Sequence, residues 1–146
     1  MSTPNKHPEA NKGWTAKQGQ RTLKQMAEQS QIDFELEFFG GILARHPDYV
    51  DVLRVMGNNL TLKGRVLEGL EIDRRLVRLR PNDPLAHYNL ACSYALTHRT
   101  DLAIRALRRA VELGYRDFRY MRQDRDLDSI RNDPRYLQLL KEYEAL

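Results

Sequence analysis

The side chains best suited to catalysis or metal binding are few in this chain and lie far apart. Its four histidines fall in four separate regions, at His7, His46, His87 and His98. Neither an HExxH nor a CxxC pattern occurs, so the sequence offers no zinc or redox motif. The one cysteine, Cys92, has no sequence-local base that would activate it as a nucleophile. We therefore predict no catalytic residue, no cofactor and no metal, and interpret Cys92 as a packing residue.

Three aspartates at alternate positions resemble the opening of a calcium-binding loop. They are Asp124, Asp126 and Asp128. Such a loop needs glycine at its sixth place and glutamate at its twelfth, but this chain has Ser129 and Arg135 there. We predict that the aspartates cap helices and carry solvated loop charges.

Length and composition limit the class of protein. The 146 residues carry 24 Lys+Arg against 20 Asp+Glu, a net charge of +4, and 41% are hydrophobic. That suits one packed domain and excludes a disordered or membrane-spanning chain. No run approaches the roughly 18 apolar residues of a spanning helix, and the first residues lack a secretory signal. A single cysteine fits a reducing compartment, so we predict a soluble, cytoplasmic protein.

The positive charge lies in the middle of the chain. Residues 50–83 carry seven basic and five acidic residues, residues 84–117 carry five and three, and both ends are neutral. Eighteen of the basic residues are arginine. Arginine suits planar recognition of carboxylate or phosphate, although such richness can equally reflect genome composition.

Apolar residues recur at helical spacing from residue 15 onward, and no stretch alternates convincingly with period two. Residues 1–14 are polar and are predicted to form a flexible tail. Gly40-Gly41 should weaken or bend the helix that contains it. Predicted helix caps are Ser30, Asp48, Asp83, Thr100 and Asp133, and predicted helix ends are Gly64 and Gly114. The sequence thus predicts an all-α chain with loops of a few residues.

Comparing the chain with itself at a shift of 34 residues brings similar residues into register. Small residues coincide where two helices can cross closely, and large apolar residues coincide where the next helix must pack. The coinciding pairs include Gly57–Ala91, Gly69–Ala103, Leu60–Tyr94, Leu79–Leu113 and Pro47–Pro81.

This period and this pattern resemble the tetratricopeptide repeat (TPR), a pair of antiparallel helices. Residues 84–117 match best, residues 50–83 match clearly, and the degenerate unit 16–49 matches only in its second half. The capping segment, residues 118–146, looks like the end often seen on bacterial TPR proteins. The resemblance implies a short right-handed α-solenoid over residues 15–146. The signature residues in the best repeat are Leu90-Ala91, Tyr94, Ala103, Leu107 and Ala110.

In TPR solenoids the first helix of each pair lines a concave groove. Relatives that hold C-terminal carboxylates do so with asparagine amides and basic side chains, which form charge-assisted hydrogen bonds. That carboxylate clamp has five positions, and four of them correspond to Arg54, Asn58, Asn89 and Arg119 in this chain. The fifth position holds Gln123, with Arg122 beside it. Asn89 can equally support the fold. The resemblance therefore implies a peptide-binding groove formed by Arg54, Asn58, Tyr88, Asn89, Arg119 and Arg122.

The second helices carry a convex basic strip, which we define as Arg74, Arg75, Arg78, Arg105, Arg108 and Arg109. It would suit nucleic acid or an acidic partner, but aromatic residues for base stacking are lacking between the arginines. We interpret these arginines as a solvated face and disfavour nucleic acid.

These patterns together predict a non-catalytic protein-interaction module. It would be a scaffold or adaptor whose groove binds a peptide or protein segment, with acidic or C-terminal carboxylate character. One alternative is a structural accessory subunit of a larger assembly, burying its unusual ends (Phe34, Phe38, Phe39 or the terminal helix) against partners. A second, less favoured, is an RNA-associated protein using the convex basic strip. The sequence leaves the partner and the oligomeric state open.

Overall fold

Helices form almost all of residues 16–144, which are the part of the chain described by the computed structural model, with side chains from residue 22 onward. No strand occurs within those residues, so the all-α prediction is confirmed. The predicted tail, residues 1–14, lies outside them. The elements in order are α1 (Ala16–Arg45), α2 (Val50–Leu62), α3 (Val66–Leu79), α4 (Pro84–Leu96), α5 (Thr100–Glu112), α6 (Phe118–Gln123), the 3₁₀ helix η1 (Arg125–Ile130) and α7 (Pro134–Glu144).

From α2 onward, the helix starts follow the 34-residue period of the sequence. Helices α2, α4 and α6 begin at residues 50, 84 and 118, and α3, α5 and α7 begin at residues 66, 100 and 134. The segment after residue 117 therefore keeps the register of the two repeats before it. It differs because α6 has only six residues and is followed by η1.

Side-chain caps and left-handed turns set several of these boundaries. Asp83 accepts hydrogen bonds from the backbone of Leu85 and Ala86, with Pro84 in the first helical position, as predicted. Gly64 (φ 84°) and Gly114 (φ 116°) follow helices in the left-handed conformation that glycine adopts without strain.

Three of the predicted caps, Ser30, Asp48 and Thr100, are wrong. Tyr49 rather than Asp48 precedes α2, and it makes no side-chain cap. Thr100 is the first residue of α5, and the residue before it is Arg99, which also makes no side-chain cap. Both helices are held by the packing of their apolar faces, which overrides the weak preference of a capping residue.

The predicted break at Ser30 does not occur, because α1 is one continuous helix of 30 residues. In the next two units the turn between paired helices uses a left-handed residue, Gly64 or His98 (φ 58°). Ser30 stands 34 residues before Gly64, and serine does not favour that conformation. Gly40-Gly41 does not end the helix either, since Gly40 lies where α1 packs on α2, close to the Met56 side chain.

Each helix packs mainly on its neighbours in sequence, from α1 on α2 to α4 on α5, after which η1 covers α4 and α5, and α7 covers α5. The larger apolar core lies around α4 and α5 and includes Leu107, Met121 and Tyr136, all fully buried. Four polar contacts join residues 34 apart in successive units: Lys63 Nζ to Gln29 Oε1 at 2.5 Å, Arg135–Asp101 at 2.7 Å, Arg108–Glu142 at 2.9 Å and Ser129 Oγ to the Ala95 carbonyl at 2.9 Å.

Glycine is needed where α2 and α3 cross. A Cβ atom on Gly57 would lie 2.9 Å from Asp73 Oδ1 and 3.3 Å from the Ile72 side chain. A Cβ atom on Gly69 would lie 2.9 Å from Thr61 Oγ1. Both contacts are tighter than side chains tolerate, so the small residues of the repeat do mark the close crossing.

We expect Gly57→Leu to lower the free energy of unfolding by about 1–3 kcal/mol, because the new side chain overpacks the α2–α3 crossing. Gly41→Leu is the matched control: nothing lies near its Cβ position, and leucine favours helix more than glycine does. Urea denaturation followed by circular dichroism measures both. Equal stabilities of the two variants would show that the crossing is not tight.

Candidate functional site

A cleft of about 430 Å³ runs along the first helices of the successive units. Its wall comes from α2 and α4, and its far end comes from the α5–α6 loop, α6 and η1. The side chains that carry its chemistry are Asn58, Asp73, Tyr88, Asn89, Cys92, Tyr115, Asp117, Tyr120, Asp124 and Asp126.

Three of the six predicted groove residues line this cleft, namely Asn58, Tyr88 and Asn89. The other three are arginines that do not line it. Arg54 pairs with Asp83, the cap of α4, and Arg122 pairs with Glu144 of α7. Arg119 is exposed on α6. The structure thus brings the two asparagines and the tyrosine together without the predicted basic residues.

Aromatic rings form one side of the cleft. The rings of Tyr88 and Tyr115 stack in parallel, with centroids 4.3 Å apart, and the Tyr120 ring lies 6.2 Å from that of Tyr88 at a tilt. Tyr88 is almost fully buried, whereas Tyr120 is exposed. Tyr88 therefore forms the floor of the cleft, and Tyr120 offers an exposed ring face to a ligand.

The Asp124 carboxylate accepts hydrogen bonds from both α4 and η1. One of its oxygens accepts a hydrogen bond from Tyr88 Oη at 2.7 Å and one from Cys92 Sγ at 3.6 Å, both from α4. Its other oxygen accepts from the backbone nitrogen of Asp126 at 3.0 Å and so caps η1. The hydrogen bonds of this carboxylate, together with the bond from Ser129 to the Ala95 carbonyl, therefore hold η1 against α4.

The lining of the cleft is acidic. It contains four aspartates, Asp73, Asp117, Asp124 and Asp126, and no lysine, arginine or histidine. Burial, together with the charges of Asp124 and Asp128, raises the pKa of the Asp126 carboxyl. No hydrogen bond or ion pair to the Asp126 carboxylate occurs among the described residues. This carboxylate is therefore available to a ligand.

The same surroundings keep the cleft's thiol and phenol protonated. Burial raises the pKa of the Cys92 thiol well above its ordinary value, and the charges of Asp124 and Asp126 add to the effect. Burial also raises the pKa of the Tyr88 hydroxyl. A neutral thiol is a poor nucleophile, which supports our interpretation of Cys92 as a packing residue.

Cys92, Asp124 and Asp126 place one ligand atom each within 4.8 Å of one another, the only such group of three among the side chains that the structure describes. We assign no ion to it. The Asp124 oxygen that faces Cys92 already accepts two hydrogen bonds, one from the thiol itself.

The convex basic strip is largely engaged with other groups of this chain. Arg74 pairs with Glu71, Arg108 with Glu142 and Arg109 with Glu112, while Arg75 donates to the Pro47 carbonyl. These pairs reduce the positive field of the surface, as expected for a solvated face.

Sequence reasoning missed the acidic and aromatic end of the cleft. Asp117, Tyr120, Asp124 and Asp126 follow the last clear repeat, where the sequence suggests only caps and loop charges. Asp117 and Asp124 are indeed caps, yet they also line the cleft. The register does place α6 as the next first helix, after α2 and α4, but the prediction drawn from it named Arg119 and Arg122 instead of these residues.

Comparisons with known proteins give limited information. No protein-family model matches the chain. Over 91 residues, or 60% of the chain, it is 30% identical to a chloroplastic protein of Arabidopsis thaliana. This match covers 27% of that protein, so the chain spans a minor part of the curated relative's length. The likeness to bacterial TPR proteins and the cytoplasmic location remain predictions. None of the described helices is long and apolar enough to cross a membrane.

One buried group of the cleft should make stability depend on pH. Burial raises the pKa of the Asp73 carboxyl to about 6. The hydrogen bond from Ser93 Oγ at 2.5 Å lowers this pKa but does not offset the effect of burial. The folded chain then holds this proton more tightly than the unfolded chain, so stability falls as pH rises from about 4 to about 6. The loss through this group is about 3 kcal/mol.

We expect Asp73→Asn to be more stable than the wild type at neutral pH, because the amide accepts from Ser93 without burying a charge. The difference should vanish below the ordinary aspartate pKa. Urea denaturation over a pH series measures it, with the exposed Asp51→Asn as control. A constant difference at every pH would contradict the assigned titration.

Proposed function

We propose that this chain is a non-catalytic protein-interaction module, a TPR-like α-solenoid that binds an extended segment of a partner in its cleft. Three features support this. Helix pairs start every 34 residues, small residues lie at the α2–α3 crossing, and an open cleft runs along the first helices. Asn58 and Asn89 face the cleft with amides that can hydrogen-bond a peptide backbone.

The charge of the cleft lining indicates which kind of segment the cleft would bind. Four aspartates and no basic side chain make the cleft negative, although the whole chain is positive. In a half-enclosed cleft a charge is screened less than at an open surface. The favoured ligand is therefore a segment that carries lysine or arginine. This reverses the acidic character expected from the carboxylate clamp, since Arg54 and Arg122 are paired elsewhere.

A basic side chain fits the acidic end in particular. The Asp126 carboxylate can accept its hydrogen bonds, and the exposed face of the Tyr120 ring can receive the cation. Asp117, on the α5–α6 loop, lines the cleft and is exposed. The apolar part of the segment would contact Leu85 and the buried ring of Tyr88.

A second candidate is a structural subunit of a larger assembly. Large apolar side chains at the N-terminal end support it, since Phe34 and Phe38 on α1 are more than half exposed. Such a patch needs a partner surface, whether another protein or another copy of this chain.

The proposal predicts which peptides the full chain selects from a random library displayed on phage. Selected peptides should carry lysine or arginine, and their affinity, measured by fluorescence anisotropy, should fall with added salt. Asp126→Asn should weaken binding about tenfold, because a charge-assisted hydrogen bond is lost. Asp128→Asn is the matched control: it removes the same charge from the same segment, but outside the cleft lining.

The possible outcomes distinguish the predicted charge of the ligand from the binding function itself. Selected acidic peptides that bind less tightly to Arg54→Glu would overturn the basic ligand and favour the carboxylate clamp. Failure to select any peptide would argue against the binding module itself.

A further inference from the structure

The first helix of the third unit ends much earlier than its counterpart in the second unit. Helix α4 runs unbroken to Leu96, whereas α6 ends at Gln123 after six residues. A helix that continued in register would place Asp124 at the position of Leu90, which is buried in the apolar core. A carboxylate at such a position is costly. The helix ends instead, and the backbone of Asp124 is extended, with ψ at 112°.

This early end leaves carbonyl groups that need hydrogen-bond donors, because the last four carbonyls of a helix have no partner within it. The Arg131 guanidinium supplies several of the missing donors. It donates to the carbonyls of Met121 at 3.3 Å, of Arg122, and of Asp124 at 2.5 Å. Its other hydrogen bonds go to the Asp128 carboxylate, at 3.2 and 3.3 Å. Arginine suits this task, because its planar head carries five N–H donors in a fixed arrangement.

The equivalent residue of the second unit makes only local contacts. Thirty-four residues before Arg131 stands Thr97, whose hydroxyl bonds carbonyls three and four residues earlier, in the last turn of α4. Arg131 instead reaches back seven to ten residues, across η1 to the end of α6. Its guanidinium is not part of the cleft lining, and among the described residues it makes no bond to the carboxylate of Asp124 or Asp126. It therefore holds the turn without neutralising these two carboxylates.

We propose that Arg131 is the positioning residue for the acidic end of the cleft. By binding carbonyl groups on both sides of the break, it fixes the turn that contains Asp124. That turn directs the Asp124 carboxylate to Tyr88 and Cys92 of α4. The same carboxylate caps η1 at Asp126, and so holds the Asp126 side chain in the cleft for the ligand. Because this assigns a role within the cleft, it rests on the proposed binding function.

The single cysteine provides a readout that needs no ligand. Cys92 is 7% exposed, and its thiol donates to Asp124. Methionine is similar to arginine in length but has no donor, so in the full chain with Arg131→Met the turn should open locally. Dithiobis(nitrobenzoic acid) should then label Cys92 at least about tenfold faster than in the wild type. Arg131→Lys keeps a smaller set of donors and should give an intermediate rate.

The matched control is Arg135→Met, because Arg135 belongs to the same segment but pairs with two other aspartates. It should be labelled at the wild-type rate. Low concentrations of urea separate a local opening from unfolding of the whole chain. A local opening exposes little surface, so the labelling rate of Arg131→Met should change little below the unfolding transition. A wild-type rate in Arg131→Met, or a rate that rises steeply with urea, would overturn the proposal.

The second readout is binding, for which the charge of Arg131 and its positioning role predict opposite results. Removing a positive charge near an acidic cleft should by itself tighten the binding of a cationic ligand. Loss of positioning should weaken it. For a fluorescein-labelled octapeptide with two arginines among glycine, serine and leucine, Arg131→Met should raise the dissociation constant about tenfold. Arg119→Met, which removes an exposed charge from α6, should leave it unchanged or lower it.

Tighter binding of this peptide to Arg131→Met than to the wild type would contradict the positioning role. A wild type that does not bind the peptide would instead count against the proposed basic ligand. The labelling of Cys92 still decides the role of Arg131 in that case, so the two proposals fail separately.

Discussion

The buried contact around Asp73 joins three successive helices and determines how the rest of the chain is arranged. From α3, its carboxylate lies against the backbone of α2 at Gly57 and accepts a hydrogen bond from Ser93 of α4. Only a residue without a Cβ atom allows α2 to approach so closely. Because α2 and α4 form the wall of the cleft, this side chain helps to set the spacing of that wall. Its raised pKa indicates that the position is retained at a cost in stability.

The periodic part of the chain was predictable from the sequence, and the physical reason is local. Asp83 with Pro84 fixes the start of α4, and Gly64 and Gly114 fix two helix ends, because capping and left-handed backbone depend on single residue types. Small residues at positions 57 and 69 indicate a close crossing by their type and spacing alone. A feature that repeats at a fixed spacing can be recognised in the sequence without knowing which residues it contacts in the fold.

The remaining features depend on contacts between distant residues. Ser30 looks like a cap, and whether a helix passes through it depends on the absence of a left-handed residue and on the packing of α1. Asp124 looks like a loop charge, yet it receives hydrogen bonds from Tyr88 and Cys92, more than thirty residues earlier. Three of the six predicted groove residues line the cleft, because they lie on the regular first helices α2 and α4. The three arginines do not line it, since ion pairs with Asp83 and Glu144 decide where two of them point.

Both proposed interaction surfaces lie where the chain departs from its own period. At one end, α1 runs straight through a turn position and leaves Phe34 and Phe38 exposed. At the other, α6 stops after six residues, and η1 brings Asp124 and Asp126 into the cleft that a longer helix would continue. Repeated units give such a fold its rigidity, but units that only repeat present the same surface each time. Asp124, Asp126 and the exposed Tyr120 come from the irregular third unit, which thus helps to give a positively charged chain an acidic, aromatic cleft.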